Sequence, residues 1–121
     1  MNRLPVLERT YDFIKWLVPA VTQFPRQQRY LLGERLESAA LELLDFLVEA
    51  QASPPTRQDA LLKAGVRVDR LACLLRLSHD LMLLSPRRYE HGARVVAEVG
   101  AQVGAWRKRG SGQPAGRVAA P

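Results

Sequence analysis

A chain of 121 residues, 47% apolar and 25% charged, is long enough to enclose one core and too short for two, and this composition excludes an intrinsically disordered protein. Eighteen Lys and Arg against twelve Asp and Glu give a formal charge of +6, a balance that favours polyanionic partners. No apolar run approaches the roughly 20 residues of a membrane helix, no signal peptide is visible in the charge-interrupted opening stretch, and the single cysteine, Cys73, excludes an intramolecular disulfide and a cysteine-rich zinc site, so a cytoplasmic protein is expected.

Prolines divide the chain into segments of helical periodicity. The first helix is predicted from about Val6 to Val21, where Leu7, Tyr11, Ile14, Val18 and Val21 recur at steps of four and three. Pro19 should tighten or kink its last turn. After the linker Thr22-Gln23-Phe24-Pro25, a second helix is predicted to about Ala52, with Pro25 suited to its first turn and Gly33 its lone glycine. Ser53-Pro54-Pro55-Thr56 breaks the chain and offers Ser53 or Thr56 as the cap of a third helix, from about Arg57 to Leu84. Ser85-Pro86 repeats the device for a fourth helix reaching Arg109. Residues 110–121, rich in Gly, Ala and Pro, are expected to form a disordered tail beyond a domain of residues 1–109. No alternation of period two persists, so the expected fold is all-α, an up-down antiparallel four-helix bundle.

At about 100° per residue, the third helix presents Leu61, Ala64, Val68, Leu71, Ala72, Leu75 and Met82 as a core face. A second stripe, Leu74, Leu77, Leu81 and Leu84, lies well away from it, where a monomer would expose it. The second helix repeats the pattern, with Leu32, Leu36, Ala39, Leu43, Leu47 and Ala50 as one face and Tyr30, Leu41, Leu44 and Val48 flanking it. Apolar breadth of this kind marks association surfaces, so Leu41, Leu44, Val48, Leu74, Leu77, Leu81 and Leu84 are expected at a subunit interface; the alternative is an asymmetric bundle that buries both stripes internally. Ala93, Ala97, Gly100 and Gly104 form a seam of small residues on the fourth helix. Each interior glycine costs about 1 kcal/mol relative to alanine, and close approach of a neighbouring helix would offset it, which adds Gly100 and Gly104 to the expected interface.

The inventory for catalysis is thin: Cys73, His79, His91 and scattered carboxylates, with no clustering of nucleophile, base and orienting group. His79 is expected as a hydrogen-bonded core or interface residue near Leu75 and Met82, and His91 as a solvated one. Neither a Glu-x-x-His pair nor a His-Glu-x-x-His motif occurs, so no metal, cofactor or enzymatic activity is expected. A small helical RNase would rest on Arg87 with His91, one residue short of the arginine-to-histidine spacing seen in helical RNases.

Charge is unevenly distributed, summing to +1 over residues 1–25, −2 over 26–54, +2 over 55–85 and +5 over 86–121. Most of the cations are arginine, suited to bidentate phosphate contact, although GC-rich coding gives the same bias. Arg107, Lys108 and Arg109 close the fourth helix, where the helix dipole also favours cations. Arg87, Arg88 and Arg94 align on its outer face, Lys63, Arg67 and Arg70 form a stripe on the third helix, and Arg26 and Arg29 open the second. These residues are the candidate nucleic-acid contacts, directed at the phosphate backbone since no aromatic residues interleave them; solvated faces are the competing reading. Arg76, at the margin of the apolar face, is placed to anchor a protein partner or to point into an oligomer.

Tyr11 and Trp16, Phe24-Pro25-Arg26, the stretch Leu71-x-x-Leu74-Leu75-Arg76-Leu77, Ser85-Pro86 with Tyr89, and Ala97-Glu98-Val99-Gly100 with Gly104-Ala105-Trp106 together resemble the accessory variability determinant proteins of diversity-generating retroelements, relatives of the ribosomal-RNA intervening-sequence proteins. The resemblance runs from Tyr11 to Arg109. It implies a non-enzymatic, basic homopentameric barrel that binds the retroelement's reverse transcriptase and its template RNA, or an RNA/DNA duplex, with no membrane involvement, in support of mutagenic reverse transcription and retrohoming. It also implies that the second apolar stripes are subunit contacts and that Arg76, in the position of a family arginine, is a candidate for reverse-transcriptase binding. A ribosomal-RNA-associated bundle without a polymerase partner is the alternative within the same superfamily.

Overall fold

A computed structural model of the chain describes residues 4–111, which hold four long helices and no strand. Helix α1 is Pro5–Thr22. Helix α2 is continuous from Arg26–Gln28 through a π-helical turn, Arg29–Gly33, into Glu34–Ala52. A short 3-10 turn, Pro54–Thr56, leads into α3, Arg57–Asp80, and α4 is Pro86–Ser111. Neighbouring helices run antiparallel, as cross-helix pairs with opposed numbering require: Arg9 meets Glu98 while Trp16 meets His91, and Arg67 meets Glu42 while Arg57 meets Ala50. The bundle is up-down, so the α1–α2 and α3–α4 turns share one end.

Pro5 occupies the first turn of α1, where its missing donor costs nothing. Pro19 sits inside the same helix, and the Thr22 hydroxyl donates to its carbonyl at 2.6 Å. At α4 the Ser85 hydroxyl accepts from the Arg88 amide at 3.1 Å, the expected N-cap. At α3 the expected cap is not made: Thr56 donates instead to the Ser53 hydroxyl at 2.8 Å, and neither side chain caps the helix.

The core is built from leucines of α1, α2 and α3, with Leu17, Leu36, Leu43, Leu47, Leu61, Leu71 and Leu75 fully buried, against Val95, Val96, Val99 and Val103 of α4. Among the described residues two polar side chains enter it, and each is satisfied by the preceding turn: Thr10 donates to the Val6 carbonyl and Ser78 to the Leu74 carbonyl, both at 2.8 Å.

The structure corrects several expectations. Helix α3 stops at Asp80, before Leu84, because the chain closes it with a Schellman motif: the Leu83 amide donates to the Ser78 carbonyl at 2.8 Å and the Met82 amide to the His79 carbonyl at 2.9 Å. Met82 takes the left-handed position of that motif, φ 64°, and its side chain is 89% exposed, far from the core expected for it. The reversal also turns Leu84 inward, to 4% exposure, so it is a core residue of the single chain and no longer part of an exposed stripe. Ala72, expected in the core, is exposed. Helix α4 continues through Gly110 to Ser111, two residues beyond the expected end; the remainder of the expected tail, 112–121, lies outside the described residues.

Candidate nucleic-acid and partner-binding surface

Antiparallel packing brings together basic residues that are distant in sequence. Arg26 and Arg29 at the start of α2, Arg76 near the end of α3, and Arg87 and Arg88 at the start of α4 all lie at the end shared by the two turns, and all are exposed. The side chain of Arg76 is 78% exposed, with its Nε 4.0 Å from Asp80 Oδ2. A contact that long in water holds the guanidinium loosely, so it stays available to a partner. Arg94 lies farther along α4, and Arg107, Lys108 and Arg109 lie at the opposite end of the bundle, all of them exposed.

The stripe on α3 is different. Arg67 Nε donates to Glu42 Oε1 at 2.9 Å, Arg70 Nη1 lies 3.9 Å from the same oxygen, and Lys63 Nζ is 3.1 Å from Asp59 Oδ2. Arg67 also lies over the Phe46 ring, 4.9 Å from its centroid. The stripe is therefore matched by acids within the chain, contrary to its appearance in sequence. Glu42 belongs to α2, 25 residues before Arg67, and only the register between the two helices reveals the pairing. Arg57, singled out by no motif, donates from Nε to the Ala50 carbonyl at 2.6 Å and so satisfies a free carbonyl at the end of α2.

Among the expected interface residues, Leu41, Val48, Leu77 and Leu81 are exposed, Leu44 and Leu74 are half-buried, and Leu84 is buried. The two glycines separate. A methyl group at Gly100 would lie 3.0 Å from Val68 Cγ1, so this glycine serves the packing of α4 on α3 within one chain. Among the described residues, nothing beyond the helix's own nearby backbone lies within 4 Å of such a methyl at Gly104. Both glycines line one open groove of about 340 Å³, with Leu62, Gly65, Val66, Asp69 and Arg107. Leu62 and Val66 are exposed, as are Tyr30 and Leu31 at the π-turn of α2; periodicity alone points to Tyr30 among these four.

The histidines are occupied by aromatic rings. His79 stacks on Tyr89 with centroids 4.5 Å apart, and His91, half-buried where solvation was expected, packs on Trp16 at 5.2 Å. Trp16 in turn leans on Phe13 at 5.7 Å, and a methyl group at Gly92 would come within 2.9 Å of the Trp16 ring. Trp16 and Tyr89 thus fasten α1 and α3 to the start of α4. Among the described residues no group of three His, Cys, Asp or Glu side chains is gathered to hold a metal ion, and no helix is long and apolar enough to cross a membrane.

A family model described as bAvd-like matches residues 4–110, which is all but one of the described residues. No curated protein matches the chain.

Proposed function

Because the chain belongs to the bAvd-like family, we propose that it is a non-enzymatic accessory protein of a diversity-generating retroelement, binding the element's reverse transcriptase and its template RNA, or an RNA/DNA duplex, in the cytoplasm to support mutagenic copying and retrohoming. The observation that carries this reading is a family match spanning the whole helical bundle. The distribution of charge supports it. Arg26, Arg29, Arg87 and Arg88 crowd one end and Arg107, Lys108 and Arg109 the other, joined along α4 by Arg94, so phosphates meet cations from one turn to the far helix end. Lys63, Arg67 and Arg70 join that surface only by exchanging the carboxylates of Asp59 and Glu42 for phosphate. Such a surface holds a polyanion by counterion release, without reading base edges.

The chain acts as a homopentamer in this reading. Leu41, Val48, Leu77 and Leu81, left exposed by a single copy, support association, with Leu44, Leu74 and Gly104 at their margins. Arg76 anchors the reverse transcriptase, and Arg76→Ala weakens the polymerase complex without changing the mass of the assembly; undiminished co-purification would remove that role. The phosphate contacts are tested by reversing Arg87, Arg88 and Arg94 to Glu and titrating RNA binding against salt. Affinity falls, and the log–log slope flattens by about 0.7 for each single-strand phosphate that no longer meets a cation. Unchanged affinity and slope would leave these arginines as solvated surface.

A further inference from the structure

Trp106 stands directly before Arg107, Lys108 and Arg109 at the end of α4, half-buried against the core. It also borders an open pocket of about 200 Å³, walled by Leu4, Pro5 and Val6 at the start of α1 and by Ala105 of α4. Gln102 and Arg109 are the polar residues of the lining, and no acidic side chain among the described residues borders it. Glu98, one turn before Gln102 on α4, is held by Arg9, which donates from Nη2 at 2.7 Å. Arg57 adds a further cation, its Cζ 6.0 Å from the Trp106 ring centroid. From this geometry we infer that the pocket receives one unpaired base of single-stranded RNA, stacked on Trp106, while Arg109 and its neighbours hold the adjoining phosphates. The assignment rests on the nucleic-acid role proposed above and adds to it a preference for single strands over duplex.

The lining selects this occupant by its chemistry. An apolar cavity with one aromatic wall favours a flat ring, and a rim that carries cations without acids favours an anion attached to that ring; a nucleotide within a strand is both. A paired base keeps its faces stacked on its neighbours, so a duplex presents phosphates to Arg107, Lys108 and Arg109 without any base entering the pocket. None of the residues proposed as subunit contacts lines the pocket, and it lies at the end of the bundle opposite Arg76.

The test measures binding of the full chain to an oligoadenylate of about ten nucleotides and to an RNA duplex of the same length. Ala105→Leu fills the pocket without changing charge. Because Ala105 is exposed on a helix that leucine suits, the substitution leaves Tm and assembly mass unchanged. It lowers single-strand affinity about tenfold, the order contributed by one stacked base, with salt slope and duplex affinity unchanged. Oligoadenylate quenches the tryptophan fluorescence of the unaltered chain, and Ala105→Leu removes that quenching. Trp106→Phe retains most of the affinity, whereas Trp106→Ala loses it. Wild-type single-strand affinity in Ala105→Leu overturns the assignment, as does an equal loss on duplex, which would place the effect on phosphate binding. Loss of polymerase capture with RNA binding intact would make the pocket a site for a protein segment, and a change in assembly mass would make it a subunit contact; either overturns the assignment. Failure of the unaltered chain to bind either RNA overturns the nucleic-acid role itself, and this assignment with it.

Discussion

Gly100 and Gly104 look equivalent in the sequence, one turn apart on the same small-residue seam, but only the first is explained by the single chain. Both line one open groove, but a methyl at Gly100 would crowd Val68, whereas one at Gly104 would meet no described neighbour within 4 Å. Gly104→Ala should raise the intrinsic stability of α4 by about 1 kcal/mol from helix propensity. If a neighbouring copy seats its backbone there, the same methyl also raises the monomer fraction in sedimentation; an unchanged mass with a higher Tm would put Gly104 on free surface. Gly33 is the opposite case, because a methyl there would come within 2.5 Å of Val21 Cγ1. Gly33→Ala should cost about 1–3 kcal/mol in denaturant unfolding despite the gain in propensity, since α1 and α2 must separate to admit it. Met82 shows a related limit of sequence reading. Its apolar side chain at helical spacing points to the core, and only the left-handed backbone of the turn directs it outward.

Helices α1 to α4 are legible because proline, serine and apolar periodicity mark their ends and inner faces, and the structure departs from that pattern where a helix is not ideal. The π-turn at Arg29–Gly33 adds a residue to one turn of α2, so a constant 100° step loses phase there and does not single out Leu31 as an exposed residue. At the other turn, apolar spacing continues through residues 81–84, but the Schellman closure has already ended α3, which moves Met82 out and Leu84 in. Elsewhere in α3 the two apolar stripes separate except at exposed Ala72 and half-buried Leu74: Leu75 is fully buried and Leu77 is 43% exposed. Leu75→Ala should therefore cost about 2–5 kcal/mol and Leu77→Ala within about 0.5 kcal/mol in a dilute, unassembled chain. Equal losses would mean that Leu77 packs inside the bundle.

Across the whole molecule, the cations are legible by number but their availability is not. Net charge identifies a polyanion-binding candidate, while up-down topology decides which arginines stand together and α2–α3 register decides which are neutralised. The Glu42 carboxylate shared by Arg67 and Arg70 is invisible to any local pattern. The clustering of Arg26, Arg29, Arg76, Arg87 and Arg88 at the end that also carries exposed Leu77, Leu81 and Met82 likewise arises only when two turns far apart in sequence meet at one end. The most direct measurement is affinity purification of the tagged full chain from cells carrying its retroelement, with the recovered protein and RNA identified. The reverse transcriptase and the template RNA should be recovered together with it; recovery of ribosomal RNA without the polymerase would contradict the proposed accessory role.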